Sequence, residues 1–386
     1  MQKVSSQQNL KFINQQKVLN LIYNQTRISR VEIAERTALT QQTVTNIVNR
    51  LMEDDLVVEG KPIAGAKGRN PIPLAINGNK MYAIGIEVAI KYIKGKLIDF
   101  QKKVIAEFSI VDTGFENSEE TFECIRKVAY ELVKEVPKKS NLKGIGISLQ
   151  ALVDSKNGIV IYSPGLVMKE FPLAEKLRKE LDFPIYIEND VNLVAIIENE
   201  KGRLVDSKCN IVLKLDHGIG GAIMNQKQLI VGASNVAGEF GHIKAFTGTN
   251  RYSCVCGSAG CLTTLVSAHG LLRNKQMTLN DFSEKVQAAD PEAIHLLNTI
   301  AQAVGRTLSN VVTFLNPDRV LFAGKVIEKL GDRFVPQVIQ IVNETVLDTC
   351  KNVSIIHVIN PLDESLIAAE LVIKNFFEIP LELLSL

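Results

Sequence analysis

Past the midpoint of the chain the sequence reads Gly241-His242 and then Cys254-Val255-Cys256-Gly257-Ser258-Ala259-Gly260-Cys261. Three thiols and one imidazole in so short a span match the Cys₃His ligand set of tetrahedral zinc, with His242, Cys254, Cys256 and Cys261 as ligands. Four protein ligands leave no open coordination position, so such a zinc site is structural. Gly257 and Gly260 let the chain turn tightly enough for the sulfurs to converge. Thiol ligation argues against Mg²⁺ or Ca²⁺. The alternative is three unbound thiols beside an unrelated histidine. Cys124, Cys209 and Cys350 are scattered and read as reduced, partly buried residues.

Around this cluster lies a chain of 386 residues, enough for two or three domains. Hydrophobic residues make up 46% and charged residues 22%, the balance of a soluble globular protein that needs no disulfide staples. No uncharged apolar run reaches the roughly 18 residues a bilayer demands, and the polar N-terminus lacks a secretory signal, so the cytoplasm is expected. From Met81 onward β-branched runs alternate with amphipathic stretches, which indicates an α/β body. Strands are expected at Met81–Val88, Gly144–Leu149, Ile185–Ile187, Asn210–Leu215, Arg319–Phe322 and Ser354–Val358. Helices are expected at Ser118–Val136, Phe171–Leu181, Asn192–Asn199, Pro291–Leu315, Asp332–Val346 and Ser365–Phe377.

Residues 1–80 form a separate head with eleven Lys/Arg against six Asp/Glu, while the rest of the chain holds 33 against 36. A basic head on a slightly acidic body points to a polyanionic partner, although a solvated surface with a surplus of cations gives the same count. Ser29-Arg30-Val31-Glu32 has the capping-box spacing that begins a helix, one that buries Ile33 and Ala34. Thr40 caps a second helix whose Val44, Ile47, Val48 and Leu51 make one apolar stripe. Its other face carries Gln41, Gln42, Thr43, Thr45, Asn46, Asn49 and Arg50. Asn and Gln offer paired donor and acceptor groups to adenine, and a helix chosen for stability alone favours Glu and Lys instead. Leu56–Lys61 and Pro71–Ile76 pair as a hairpin with a basic tip containing Lys67 and Arg69. This is a winged helix-turn-helix. Its expected partner is double-stranded DNA, with Gln41, Gln42, Thr43, Thr45, Asn46 and Asn49 near base edges or phosphates. Arg50 and Lys67 bind phosphate, and Arg69 enters the minor groove. One head offers little contact area, so a palindromic operator and a homo-oligomer, dimer or tetramer, are expected. A three-helix packing module that never meets DNA is the alternative.

With Glu188-Asn189-Asp190-Val191-Asn192 and Ala237-Gly238-Glu239-Phe240-Gly241-His242 added, the whole chain resembles the ROK family (repressors, open reading frames, kinases), in particular its branch with an N-terminal winged head. The resemblance implies an actin-like, ribonuclease-H-like body of two lobes with a cleft. It divides the chain into a DNA-binding domain at 1–80, a first lobe at 81–198 completed by 365–386, and a second lobe at 199–364 with the zinc site and an oligomerisation surface. It also implies that Asn189, Asp190, Glu239 and His242 contact sugar hydroxyls, His242 with one ring nitrogen on zinc and the other near the sugar. Helix-cap or turn duty is the alternative for Asp190 and Glu239.

Family kinases hold ATP in three glycine-rich turns, and here those turns are eroded. The first reads Gly85-Ile86-Glu87-Val88-Ala89-Ile90-Lys91, the second Leu215-Asp216-His217-Gly218-Ile219-Gly220, the third Phe322-Ala323-Gly324-Lys325. Asp216 puts a negative charge where a phosphate should sit, and Ala89-Ile90 crowds a backbone that phosphate must approach. Thr263 and Gly165 also stand where the family has a polar sugar contact. The resemblance therefore implies a sugar-responsive transcriptional repressor of carbohydrate-utilisation genes, similar to xylose and N-acetylglucosamine repressors, with no catalytic residue. An ATP-dependent sugar kinase carrying a regulatory DNA-binding head is the competing expectation, and a regulator sequestered by a protein partner is another.

Overall fold

The computed structural model describes residues 6–25, 27–61, 72–111 and 114–378. The head comprises α1 (Ser6–Asn24), α2 (Arg30–Thr37) and α3 (Gln41–Glu53), followed by the antiparallel pair β1 (Val57–Glu59) and β2 (Leu74–Ile76). The expected signals act as capping chemistry requires. Ser29 and Glu32 make the reciprocal capping box of α2, and the Thr40 side chain accepts from the Thr43 N–H at the start of α3. Ala38 turns between the two helices in the left-handed region, φ 56°. Val44, Ile47, Val48 and Leu51 are buried. The hairpin tip, with Lys67 and Arg69, lies outside the described residues.

The body contains β3 (Tyr82–Ala89), β4 (Tyr92–Asp99), β5 (Val104–Val111), α4 (Ser118–Lys134), β6 (Leu142–Leu149), β7 (Leu152–Asp154), β8 (Ile159–Ser163), β9 (Met168–Phe171), α5 (Leu173–Leu181) and β10 (Ile185–Asn189). It continues through α6 (Asp190–Lys201), β11 (Cys209–Leu215), β12 (Ile219–Asn225), β13 (Gln228–Leu229), α7 (Thr263–Val266), α8 (Ala268–Lys275), α9 (Leu279–Gln287) and α10 (Pro291–Leu315). Last come β14 (Arg319–Ala323), α11 (Lys325–Thr345), β15 (Ser354–His357) and α12 (Glu364–Phe377).

Two five-stranded sheets share one topology, β10-β6-β3-β4-β5 and β13-β12-β11-β14-β15. In each, an antiparallel meander of three strands is extended on its other side by a strand parallel to the first, β6 on β3 and β14 on β11, with a fifth strand beyond it. This is the ribonuclease-H-like repeat of an actin-like body. The chain divides into two compact units, one of Met1–Gln150, Ser155–Ile187 and Ser365–Leu386, the other of Ala151–Asp154 and Glu188–Glu364.

In the first unit α12 lies directly against strand backbone. A Cβ at Gly85 of β3 would overlap the Ser365 carbonyl, and one at Gly146 of β6 the Ala368 carbonyl, so only glycine permits this approach. Ala369, Val372, Ile373 and Phe377 of α12 then share one core with Val18, Leu19 and Ile22 of α1 and with Ala83, Ile98 and Phe100 of the sheet. In the second unit α10, launched by the Asp290 cap with Pro291 in its first turn, packs with α11 over a core containing Ile211, Leu308, Phe322 and Phe334.

Beyond strands and helices that were not expected at all, such as β4 and α9, two expected helices have other bounds. Helix α11 begins at Lys325, seven residues before Asp332, and carries Pro336 within it. Gly331 reads as a breaker in sequence, yet its missing side chain admits His357, with a Cβ there 3.2 Å from the imidazole Cδ2. Phe171 ends strand β9 rather than opening a helix, since Pro172 precedes α5. Among the described residues no helix is long and apolar enough to cross a membrane.

Candidate functional site

The exposed side of α3 is a row of amides and hydroxyls. Gln41, Gln42, Asn46, Asn49 and Arg50 are exposed, with Thr43 and Thr45 half-buried beside them. Gln42 Nε2 donates to Asn46 Oδ1 at 3.1 Å, which aligns two amides one helical turn apart. Thr45 Oγ1 donates to the Gln41 carbonyl at 2.8 Å and Thr40 Oγ1 lies 2.8 Å from Thr43 Oγ1, so these hydroxyls brace the helix start. Arg50 Nε reaches only the Asn46 carbonyl, at 3.4 Å, leaving its guanidinium toward solvent. Amides on a rigid, capped helix can offer a paired donor and acceptor to an adenine edge.

The second candidate site is the cluster in the second unit. His242, Cys254, Cys256 and Cys261 present ligand atoms that all lie within 4.8 Å of one another. Cys254 Sγ is 3.6 Å from His242 Nδ1, and Cys256 Sγ is 3.6 Å from Cys261 Sγ. A tetrahedral ion with bonds of about 2.3 Å places its sulfurs about 3.8 Å apart, so the donor set fits a metal of that kind. Gly257 and Gly260 adopt φ of 83° and 76°, the left-handed turns the motif demands. Lys244 Nζ donates to Cys261 Sγ at 2.8 Å, setting a positive charge against the thiols. Burial, and then the Lys244 ammonium, push His242 below its ordinary value, the direction that favours the neutral imidazole of a metal ligand.

His242 faces two ways. Nδ1 points to Cys254 while Nε2 lies 3.8 Å from Glu239 Oε2. Glu239 is half-buried; burial, with the Asp190 charge behind it, raises its carboxyl above the ordinary range. The turn at 240–242 reaches this place because it packs on β12: Phe240 sits over Gly221, while α6 rests on the same strand through Val191 against Gly220. Thr263 lies alongside, its Cβ 3.5 Å from where a Gly241 Cβ would be.

Asn189 and Asp190 open α6 with different duties. Asn189 Oδ1 accepts from the N–H groups of Val191 and Asn192, at 3.0 and 3.1 Å, and its Nδ2 donates to the Ala151 carbonyl at 2.9 Å. Most of its hydrogen-bonding capacity is thus spent as a helix cap. Asp190 Oδ2 accepts from Lys214 Nζ at 2.7 Å, and Lys214 also binds Glu364. Lys214 is buried, with 3% of its side chain exposed, and the two carboxylates hold its pKa above that of a free lysine despite the burial that opposes it. Sequence reasoning did not single out this residue. Its one signal is a lone cation inside the apolar strand Cys209–Leu215.

The eroded turns are filled by the chain itself. In the first, Glu87 is buried and accepts from Tyr92 Oη at 2.6 Å. Ile90 covers Gly165, where a Cβ would come within 2.6 Å of its Cδ1, so these two departures from the kinase pattern accommodate one another. In the second, Asp216 Oδ1 accepts from the His217 N–H at 2.8 Å and lies 3.8 Å from Lys325 Nζ.

Comparison with known proteins gives a consistent picture. The profile described as "ROK family" matches residues 83–367, and one described as "Winged helix-turn-helix DNA-binding" matches residues 12–58. The chain is 27% identical to the xylose repressor of Bacillus spizizenii, over 84% of this chain and 85% of that protein. It is 25% identical to the N-acetylglucosamine repressor of Escherichia coli O6:H1, over 83% and 82%. Among solved structures, a ROK family transcriptional regulator described as a homolog of the E. coli MLC protein superposes with a TM-score of 0.82, at 21% identity, covering 96% of this chain and 97% of that one. A ROK hexokinase from Thermus thermophilus gives 0.64 at 22% identity, covering 76% of this chain and 100% of the hexokinase.

Proposed function

The chain belongs to the ROK family, and on that premise we propose that it is a sugar-responsive transcriptional repressor of carbohydrate-utilisation genes, acting in the cytoplasm as a homo-oligomer on a palindromic operator. The observation that carries this reading is the exposed amide row of α3, Gln41, Gln42, Asn46 and Asn49, on a capped helix-turn-helix. Asn and Gln there pair with adenine edges, Thr43, Thr45, Arg50 and Lys67 meet phosphates, and Arg69 enters the minor groove.

The effector is a sugar held by Asp190, Glu239 and His242 Nε2, with the second N–H of Asn189 Nδ2 beside them. Carboxylates accept from hydroxyls, and each such bond is worth about 1.5–3 kcal/mol, so two or three suffice for affinity and choice. Thr263 takes a polar partner away from the site, which favours a small sugar; xylose is the first to test. His242, Cys254, Cys256 and Cys261 would hold a zinc ion, which would supply rigidity and so hold the imidazole ring in place for the sugar. Lys244 offsets the single negative charge of a Cys₃His zinc centre.

Kinase activity is the second reading, favoured by the retained Asp190, the general base a sugar kinase needs. Against it stand Glu87, committed to Tyr92 in the first phosphate turn, and Asp216 in the second. We therefore propose no catalytic residue. A coupled assay with Mg-ATP and a sugar panel tests this: no turnover is expected, and a rate near 1 s⁻¹ contradicts the reading. Binding of a selected operator duplex, with and without xylose, tests the function itself.

A further inference from the structure

The C-terminal helix α12 joins the neighbourhood of the candidate sugar site to the DNA-binding head. Its first residue, Glu364, shares the buried Lys214 ammonium with Asp190. Its last, Phe377, stacks on Tyr23 of α1 with ring centroids 3.9 Å apart and planes at 11°. The Phe377 carbonyl also accepts from Asn20 Nδ2 at 3.1 Å. From Glu364 to Phe377 the helix runs fourteen residues without a break, about 20 Å long at 1.5 Å per residue. Ala368, Ala369, Val372, Ile373 and Phe377 are buried, so the helix cannot shift at one end without repacking at the other.

We infer that Lys214 is a positioning residue that couples sugar binding at Asp190 to the head through Glu364 and α12. The inference rests on the sugar-site reading above and adds the route by which that site is heard at α3. Two carboxylates compete for one ammonium. A ligand hydroxyl donating to Asp190 satisfies part of that carboxylate's demand, so the ammonium settles further toward Glu364. Glu364 occupies the first turn of α12, and its displacement along the helix is felt where Phe377 meets Tyr23 and Asn20. Of the four points where the chain passes from one compact unit to the other, two, between Ile187 and Glu188 and between Glu364 and Ser365, lie close to the residues that Lys214 holds, Asp190 and Glu364. Coupling of this kind is reciprocal: operator bound at the head alters sugar affinity by the same factor.

The test uses the full chain and an operator duplex selected in vitro from random DNA. Calorimetry measures binding of D-xylose, D-glucose and N-acetyl-D-glucosamine, and fluorescence anisotropy measures operator affinity with and without each. E364Q keeps the Lys214–Asp190 pair and weakens the link to α12. It should bind sugar, and operator without sugar, within about threefold of wild type, while the sugar-induced change in operator affinity falls from the order of tenfold to less than about twofold. E364D should restore part of the response. Coupling in E364Q equal to wild type overturns the role of Lys214 and leaves the functional reading standing. A wild-type protein whose operator affinity none of the sugars changes overturns both. A second measurement needs no substitution: amide exchange of wild type with and without sugar should change in the first turn of α12 and in α1, and unaltered exchange in both, under saturating sugar, overturns the inference.

Discussion

At the scale of single residues, side chains here serve in pairs. His242 turns Nδ1 to the thiols and Nε2 toward Glu239, so the metal cluster and the candidate sugar site share a ring. Cys256→Ser should release bound metal: the wild-type chain should carry about one equivalent of zinc by atomic absorption and the variant far less, with a lower Tm because structural zinc contributes folding energy. Full zinc retention by the variant contradicts the ligand set. Ser29 offers a cleaner local test. Ser29→Ala removes the cap of α2 and should cost about 1 kcal/mol, read by denaturant unfolding of the full chain. The backbone and hydroxyl hydrogen bonds from Ser29 hold the Glu32 carboxyl below its ordinary value. That contribution is therefore present above the ordinary carboxylate range and lost as pH falls through the depressed value. Both signals were legible in the sequence, because caps and ligand clusters are set by local spacing. Lys214 was not. Its meaning depends on Asp190 and Glu364, which lie 24 and 150 positions away in the chain.

At the scale of elements, periodicity located α3 and α10 well, the latter from Pro291 to Leu315 as expected. It failed where a residue has two uses. Gly331 ordinarily marks a helix end, yet it lies inside α11, where it makes room for His357. Strand β4 escaped notice because Lys94 and Lys96 break its apolar run, although Lys96 is buried and paired with Glu107 at 3.2 Å. The α3 helix carries the sharpest test at this scale. Asn46→Ala should weaken binding to the selected operator by about 1–3 kcal/mol while leaving binding to unrelated DNA unchanged, the mark of a base contact. An equal loss on every sequence places Asn46 on the backbone instead. Arg69→Ala in the wing should lower operator affinity and flatten its salt dependence; an unchanged slope in log Kobs against log salt contradicts a wing–DNA contact.

At the scale of the whole molecule, the chain couples two designs whose parts the sequence disclosed unequally. Head and body could be told apart by charge and by composition, and the repeated sheet topology matches the ribonuclease-H-like plan implied by the resemblance. The continuous core from α1 through β3 to α12 was not legible, since it depends on Gly85 and Gly146 admitting a helix from the far end of the chain. Sugar binding should appear as a gain in stability: xylose at 100 times its Kd adds about 2.7 kcal/mol, a measurable rise in Tm, which a panel of sugars and Mg-ATP can rank.

The most direct measurement is an anisotropy titration of labelled operator with the full chain, run with and without saturating xylose and the other sugars of the panel. A shift in operator Kd of about fivefold or more with at least one sugar, and none with Mg-ATP, is the expected result. Operator affinity indifferent to every sugar contradicts a repressor that takes its instructions from carbohydrate.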